Sequence, residues 1–423
     1  MKKKYRLMVT WALVAVLLGM TLTGCSGNAN VAAGDLMKGI TKNPVQLPQE
    51  MDGELNQALL DFTWNLFKES GADKGNVMIS APSVYLALGM ALNGADGETR
   101  EAMLKALSAQ NIKLEDFNAG LSAWSNSLMD EKNKTDVRIA NSIWIRNGFE
   151  AAPAFLQTNG DYYQAGIRSL DFADPSAPKI INQWVEEKTE GTIDKIIETM
   201  DDDLMMYLIN AIYFKGDWKE PFKAGKTYER TFAAPAGSVE TSFMRRSGNM
   251  DYIQGQGATG VILPYADERF AFVGILPEEG KSPRDFINTT TAADMLKLIS
   301  TKKMKNVDLS LPKFESSYEN ELRDELNALG MDIAFDPFRA DFSLMNKAHN
   351  KDLFIGGVKH KTYIKVDEKG TEAAAVTGVE VNTTSMPIDL TQVVFDRPFV
   401  YAIIDWQTNS PLFVGIMEDP TIR

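Results

Sequence analysis

Few residues of this chain have the types and spacing that catalysis or metal binding requires. Two histidines are present, His349 and His360, but the chain contains no G-x-S-x-G elbow and no His/Glu pair at the helical spacing that zinc needs. The glycines of "GQGATG" (255–260) match a dinucleotide-binding spacing, yet a β-rich run follows them where a phosphate-binding helix would be needed. We therefore expect a hairpin turn at 255–260, and the sequence predicts neither an enzyme nor a metal or cofactor site.

The stretch "EKGTEAAAVTGVEVNTTSMP" (368–387) combines two patterns that belong to different structures. Its content of glycine, threonine, alanine and serine is typical of an exposed loop, whereas its period-two alternation is typical of a half-buried strand. One face of the alternation carries no charge. The members of that face are Thr371, Ala373, Ala375, Thr377, Val379 and Val381, and those of the other are Glu372, Ala374, Val376, Gly378, Glu380 and Asn382. The stretch therefore suits a segment that is a loop in one state and a strand in another.

The N-terminus has the pattern of a secretion signal. "MKKKYR" supplies positive charge, and the apolar run after it, about fourteen residues, is shorter than the ~20 residues of a membrane-spanning helix. "LTGC" then resembles the lipobox of bacterial lipoproteins, in which the cysteine is lipidated. We predict a signal peptide at 1–24, lipidation of Cys25, a flexible tether at 25–50 and a lipid anchor to the membrane of a bacterial cell envelope, facing the periplasm or the cell exterior. An ordinary signal peptide with a chance cysteine is the alternative.

Composition and periodicity describe the rest of the chain. The net charge of −13 leaves no basic field for nucleic acid, and a chain whose only cysteine is Cys25 has no internal disulfide. Apolar residues repeat at helical spacing in the first half, as in "ELNQALLDFTWNLFKES" (54–70). From Leu204 onward, short β-branched and aromatic runs predict strands. Because no Pro/Gly linker divides these halves, we expect one α+β domain over 51–423.

Five separated segments, in chain order, resemble the serpin family. They match its second and third helices, the third strand of its central sheet, a later strand, the reactive-loop hinge and the C-terminal strand pair. In that order they are "NVMISAPSVYLALGMALNGADGETREAML" (76–104), "LINAIYFKGDWKEPFK" (208–223), "LPKFE" (311–315), "KVDEKGTEAAAV" (365–376) and "FDRPFVYAIIDWQTNSPLFVGIMEDP" (395–420). The resemblance implies the serpin fold, with three β-sheets, about eight to nine helices and an exposed reactive-centre loop, 368–394, that inserts into the large central sheet.

The resemblance implies a suicide inhibitor of a serine endopeptidase, with cysteine endopeptidases as a further target class. The protease cleaves the loop, an acyl-enzyme forms, and the N-terminal part of the loop inserts into the central sheet as a new strand. The hinge of the loop corresponds to Glu368, Gly370, Thr371, Glu372, Ala373, Ala374, Ala375 and Val376. The spacing of the family puts the cleaved bond between Thr384 and Ser385. Because the loop is longer than usual, bonds after Val381, Asn382 and Thr383 stay open.

The loop also limits the target protease. No lysine or arginine occurs between Lys369 and Arg397, so an elastase-like or subtilisin-like protease fits better than a trypsin-like one. We expect a monomer that binds its protease and no nucleic acid. Two alternatives stay open, a non-inhibitory serpin whose loop is cut without inserting and a surface lipoprotein that binds another partner. The face from Thr371 to Val381 favours inhibition because it has neither charge nor proline.

Other matched positions have structural roles in the family. The shutter, a polar cluster beneath the point where the central strands part, corresponds to Ser80, Ser83, Asn210 and His360. Trp218 corresponds to the breach, where insertion starts. We expect Lys313 to pair with Glu368 at the base of the loop. These residues would control opening of the sheet and would perform no chemistry.

Overall fold

The computed structural model of the chain describes residues 33–72, 74–130, 133–201, 203–371 and 390–422. Four predicted features lie outside these residues. They are the signal peptide, the lipidation site Cys25, the hinge residues 372–376 and the bond between Thr384 and Ser385.

The helices follow the periodicity of the sequence. The first helix begins after Asp52, whose carboxylate accepts a hydrogen bond from the amide of Glu54 at 3.3 Å, and it buries its apolar face. In the described part of the chain the helices are α1 (Gly53–Ser70), α2 (Ala81–Leu92), α3 (Gly97–Ala106), α4 (Leu114–Leu128), α5 (Pro153–Tyr163), α6 (Ala177–Lys188), α7 (Pro283–Asn288), α8 (Ala292–Ser300) and α9 (Arg323–Ala328). None of these helices is both long enough and apolar enough to cross a membrane.

Strands dominate the chain after Met206, as predicted from the short β-branched runs. The described strands are β1 (Gly34–Asp35), β2 (Val77–Ile79), β3 (Asp136–Arg146), β4 (Gly166–Leu170), β5 (Met206–Asp217), β6 (Tyr228–Ala234), β7 (Gly237–Gly255), β8 (Ala258–Pro264), β9 (Phe270–Pro277), β10 (Lys303–Pro312), β11 (Phe314–Glu321), β12 (Gly357–Val366), β13 (Gly370–Thr371), β14 (Thr391–Val394), β15 (Phe399–Asp405) and β16 (Ser410–Met417). They form one α+β unit.

Hydrogen bonds join the described strands into two sheets, where the resemblance implied three. A seven-stranded sheet has the order β1-β4-β3-β5-β13-β12-β11, and a nine-stranded sheet has the order β14-β10-β7-β8-β9-β15-β16-β2 with β6 beside β7. The reason is the length of β7, which pairs with β10 over 243–252 and with β8 over 251–255. One long strand therefore makes two expected sheets continuous.

The predicted hairpin at 255–260 is confirmed. β7 and β8 pair antiparallel through Gly255 and Ala258, and the two residues between them, Gln256 and Gly257, have φ values of 53° and 71°. Positive φ at both central positions is the geometry of a two-residue hairpin whose twist matches its strands.

The seven-stranded sheet is covered on both faces. α6 packs on one face, where Trp184 meets Trp144 of β3 edge to face at 6.2 Å. On the other face lie α2 and the nine-stranded sheet, within the main core. All twelve residues of α2 are buried, so it is an internal helix. The strands at the centre of this sheet can therefore separate only if packed layers shift.

The prediction of a flexible tether over 25–50 is wrong for residues 34–43. β1 pairs antiparallel with the edge strand β4, and the amide of Asn43 donates to the Asp161 carboxylate at 2.6 Å. Met37 and Ile40 pack against the core where Gly160 of α5 has no side chain, since a Cβ there would lie 2.9 Å from Ile40. The small, polar residues of this segment predicted that it is free. Composition does not reveal the place on β4 and α5 that receives the segment.

We expect Asp161→Ala to release this segment. The carboxylate accepts from Asn43 and Gln157, and loss of such charge-assisted hydrogen bonds costs about 1.5–3 kcal/mol. Tryptic cleavage at Lys38 and Lys42 should become about tenfold faster, as measured by mass spectrometry of timed digests.

Asp61→Ala serves as the matched control, because Asp61 accepts a comparable hydrogen bond from Gln57 on exposed α1 surface. Equal cleavage rates in the Asp161 and Asp61 variants would show that the segment is held by something else.

Candidate functional site

The start of the reactive-loop stretch is docked between two strands of the seven-stranded sheet. Gly370 and Thr371 pair with Asp217 and Gly216 of β5, and Thr371 also pairs with Val366 of β12. Thr371 is 1% exposed. A Cβ at position 370 would lie 2.1 Å from the carbonyl oxygen of Gly216, so only glycine fits there. Gly370 and Thr371 therefore lie in the seam between β5 and β12.

Aromatic side chains form the wall of this entry point. The hydroxyls of Thr371 and Tyr265 lie 2.6 Å apart, and Tyr265 stacks on Trp218 at 4.7 Å. The Trp218 indole donates to the carbonyl of Asp367 at 2.9 Å, and its amide donates to the carbonyl of Lys369 at 2.7 Å. Burial raises the pKa of Tyr265, which keeps its phenol neutral and able to donate. Trp218 therefore holds the backbone before Gly370 at two points, the carbonyls of Asp367 and Lys369.

Glu368 fixes the base of the loop through charge. The predicted pair is present, with the Lys313 ammonium 2.8 Å from one carboxylate oxygen, and the Thr227 hydroxyl donates to the other at 2.7 Å. Burial acts to raise the pKa of Glu368, but hydrogen bonds from Lys313 and Thr227 outweigh it and lower the pKa. The contact is therefore complete at neutral pH and weakens only in acid.

A second polar cluster closes the seam at its middle. His360 of β12 lies beside Asn210 of β5 in the parallel register, and its Nδ1 is 2.5 Å from the Asn210 side-chain oxygen. The amide of Ser80 donates to His360 Nε2 at 3.1 Å, so Nδ1 is the nitrogen that carries the proton. The Asn210 amide donates to Ser83 Oγ and to the side chain of Asn141, the latter at 2.5 Å.

The shutter is buried and electrically neutral. His360 and Asn210 are both 0% exposed. Burial lowers the pKa of His360 from its ordinary value of 6.5 to about 3. The hydroxyl of Ser80 is also buried and has no hydrogen-bond partner within the described residues. The seam therefore closes through hydrogen bonds between uncharged groups, which cost less to separate in a dry interior than an ion pair would.

Comparison with known proteins identifies the family. A model of the family "Serpin (serine protease inhibitor)" matches residues 57–420. The chain belongs to the serpin family. An uncharacterized serpin-like protein of Thermococcus kodakarensis is 33% identical over 371 residues, covering 86% of this chain and 85% of the relative. Neuroserpin of Homo sapiens is 30% identical over 381 residues, covering 86% and 91%.

The solved structures agree with this assignment. The thermophilic serpin tengpin in its native state superposes with a TM-score of 0.87 at 40% identity, covering 92% of this chain and all of tengpin. The predicted serpin fold is thereby confirmed. Serpins are generally protease inhibitors and not enzymes, and they bind target proteases, so the chain is of the protease-inhibitor kind.

Three residues that contact the predicted site residues were missed by sequence reasoning. Asn141 of β3 links Asn210 to the carbonyl of Ser83, and Tyr265 receives Thr371. Tyr265 ends the run "GVILPY", which predicts a strand but does not reveal what lies opposite its last residue. Thr227 was missed because its contact with Glu368 joins positions 141 residues apart. Periodicity reports which face is buried and does not report the partner.

We expect acid to destabilise the protein through His360. Because its folded pKa is depressed, the stability it contributes is present above pH 6.5 and is lost as the pH falls toward 3, since the unfolded chain binds the proton first. Between pH 7 and pH 5, wild type should lose about 2 kcal/mol of unfolding free energy that His360→Gln does not lose. Denaturant titrations at both values of pH measure the difference.

The other histidine provides the control, because His349 lies on the surface. His349→Gln should keep the wild-type dependence on pH. If His360→Gln also keeps it, the histidine is not held neutral in the shutter.

Proposed function

We propose that this serpin is an inhibitor that traps a serine endopeptidase as a covalent acyl-enzyme, with cysteine endopeptidases as a second target class. The observation that carries the proposal is the docking of Gly370 and Thr371 between β5 and β12, antiparallel to both. An inserted strand needs this position and this direction. The loop therefore starts at the point from which insertion would proceed.

The register of the sheet supports insertion. Thr371 pairs with Gly216 and with Val366. A strand that continued antiparallel for six more residues would place Thr377 opposite Asn210 on one side and His360 on the other. These two residues already lie beside each other across the closed seam. The new strand would therefore enter without a change of register in either neighbour, and it would replace the contact between Asn210 and His360.

The side chains of the loop favour the same process. The face that begins with buried Thr371 continues with small uncharged residues, which can pass between packed layers. About a dozen residues would gain ladder hydrogen bonds at a net ~0.5–1.5 kcal/mol each, so the driving force is of order 10 kcal/mol. That energy is comparable with the stability of a whole domain.

In the trapping reaction the serine hydroxyl of the protease attacks the carbonyl carbon of Thr384. The amide bond between Thr384 and Ser385 breaks, the proton passes to the new amino group of Ser385, and an ester joins Thr384 to the protease. Insertion then carries this ester away from the loop's original position. Bonds after Val381, Asn382 and Thr383 are alternatives. The absence of lysine and arginine between 369 and 397 favours elastase-like or subtilisin-like targets.

The proposed location is the surface of a bacterial membrane, where acyl chains on Cys25 anchor the protein. The docked segment starts at Gly34, so the tether is shorter than the sequence suggested. Seven residues lie between Cys25 and Ala33, so the eight steps from one to the other reach about 28 Å at full extension. The docked segment would thus lie close to the membrane.

The decisive experiment is Thr377→Arg. An inserted strand in this register would bring position 377 between Asn210 and His360, which are both 0% exposed, and burial of an unpaired charge there costs several kcal/mol, so insertion should fail. With subtilisin or pancreatic elastase, the share of cleaved protein found as a covalent complex on a denaturing gel should fall about tenfold. N-terminal sequencing of the released fragment locates the cleaved bond.

Glu372→Arg provides the matched control, because Glu372 belongs to the opposite face of the alternation and should keep the complex. If wild type is cleaved without forming a complex, the chain is a non-inhibitory serpin. If wild type is not cleaved, the lipoprotein alternative gains support.

A separate experiment concerns the anchor. Cys25→Ala should move nearly all of the protein from the membrane fraction to the soluble fraction of cells, because the acyl chains would be lost. Ser26→Ala keeps the cysteine and should stay in the membrane fraction. If the Cys25 variant stayed in the membrane fraction, that result would argue against lipidation.

A further inference from the structure

A cavity of about 310 Å³ opens beside the seven-stranded sheet. Side chains from α4, α5, α6, β3 and β4 line it, and the docked N-terminal segment closes one side. We propose that this cavity binds a small aromatic carboxylate, which would contact Arg168 through its charge and Trp184 through its ring. The volume is large enough for a ligand of drug-fragment size.

Arg168 supplies the charge recognition. Its Nε is buried and has no hydrogen-bond partner within the described residues, and its guanidinium lies 5.9 Å from the centre of the Trp144 ring. Asp35 of β1 lies opposite Arg168 in the strand register, yet its carboxylate makes no hydrogen bond to the Arg168 Nε. The Asp35 carboxylate instead accepts from the amide of Met37 at 3.0 Å. A buried guanidinium nitrogen without an acceptor favours an anion that can approach it in the plane of the group.

Apolar side chains supply the rest of the recognition. Leu86, Ile139 and Trp184 lie on the walls of the cavity, and Lys188 lies exposed at its rim. A carboxylate with an aromatic body satisfies both parts of the site, because its ring can pack on Trp184 while its charge meets Arg168. An inorganic anion would leave the apolar walls unused.

The cavity also reaches the shutter. Asn141 lines the cavity and accepts a hydrogen bond from the Asn210 amide at 2.5 Å. Because a ligand that binds only the folded protein stabilises it by mass action, occupancy should raise the temperature of unfolding.

The test uses benzoate as the probe, with benzyl alcohol as its neutral analogue. Isothermal titration of the intact protein with benzoate should give an affinity near or better than about 1 mM, and benzyl alcohol should bind about tenfold more weakly. Arg168→Gln should weaken benzoate binding about tenfold, and Arg168→Lys, which keeps the charge, should weaken it less. Asp35→Asn should strengthen binding, because a like charge is removed.

Arg146→Gln is the matched control. Arg146 of β3 also has a buried guanidinium nitrogen without a partner in the described structure, but it does not line the cavity. The proposal would be overturned if wild type did not bind benzoate. It would also be overturned if the Arg168 and Arg146 substitutions weakened benzoate binding equally. Since no protease takes part, this result is independent of whether the serpin forms covalent complexes.

Discussion

The hydrogen bond between His360 and Asn210 constrains the central sheet, because the seam between β5 and β12 cannot part without breaking it. It joins β12 to β5 at the middle of the central seam, and the Ser80 amide fixes the imidazole from below. Because desolvation keeps His360 neutral, this closure contains no buried charge whose separation would be prohibitive. The Ser80 hydroxyl, buried without a partner in the described residues, is a polar group that the closed state leaves unsatisfied. The seam is therefore closed by hydrogen bonds between neutral groups.

The same seam is already open at its other end. There Gly370 and Thr371 occupy the place of a strand between β5 and β12, held by Trp218, Tyr265 and the ion pair of Lys313 with Glu368. A strand that has started to insert does not have to nucleate a new pairing, since the register is set by the first pair. One end of the seam holds Gly370 and Thr371, and the other is closed by the contact of His360 with Asn210.

Local spacing predicted the helix at 54–70 and the hairpin at 255–260, and both are present. The pair of Lys313 with Glu368, which was expected from the resemblance to serpins, is present as well. The docked segment at 34–43 was not predicted, because its weak periodicity gives no sign of β4 or of the space above Gly160. Two of the three expected sheets form one continuous sheet, because β7 is long enough to pair with β10 along one part of its length and with β8 along another.

In the sequence, the resemblance of five separated segments implied the fold family, and the local order of side chains revealed the alternating uncharged face that begins at Thr371. Tertiary structure decided which residues meet. Tyr265 faces Thr371 across 106 positions, and Asn141 connects the shutter to a cavity beside Arg168. Such contacts join segments that are far apart in the sequence, and they depend on how the strands pair and the helices pack. A local sequence pattern contains no information on that packing, so these partners are seen only in the folded chain.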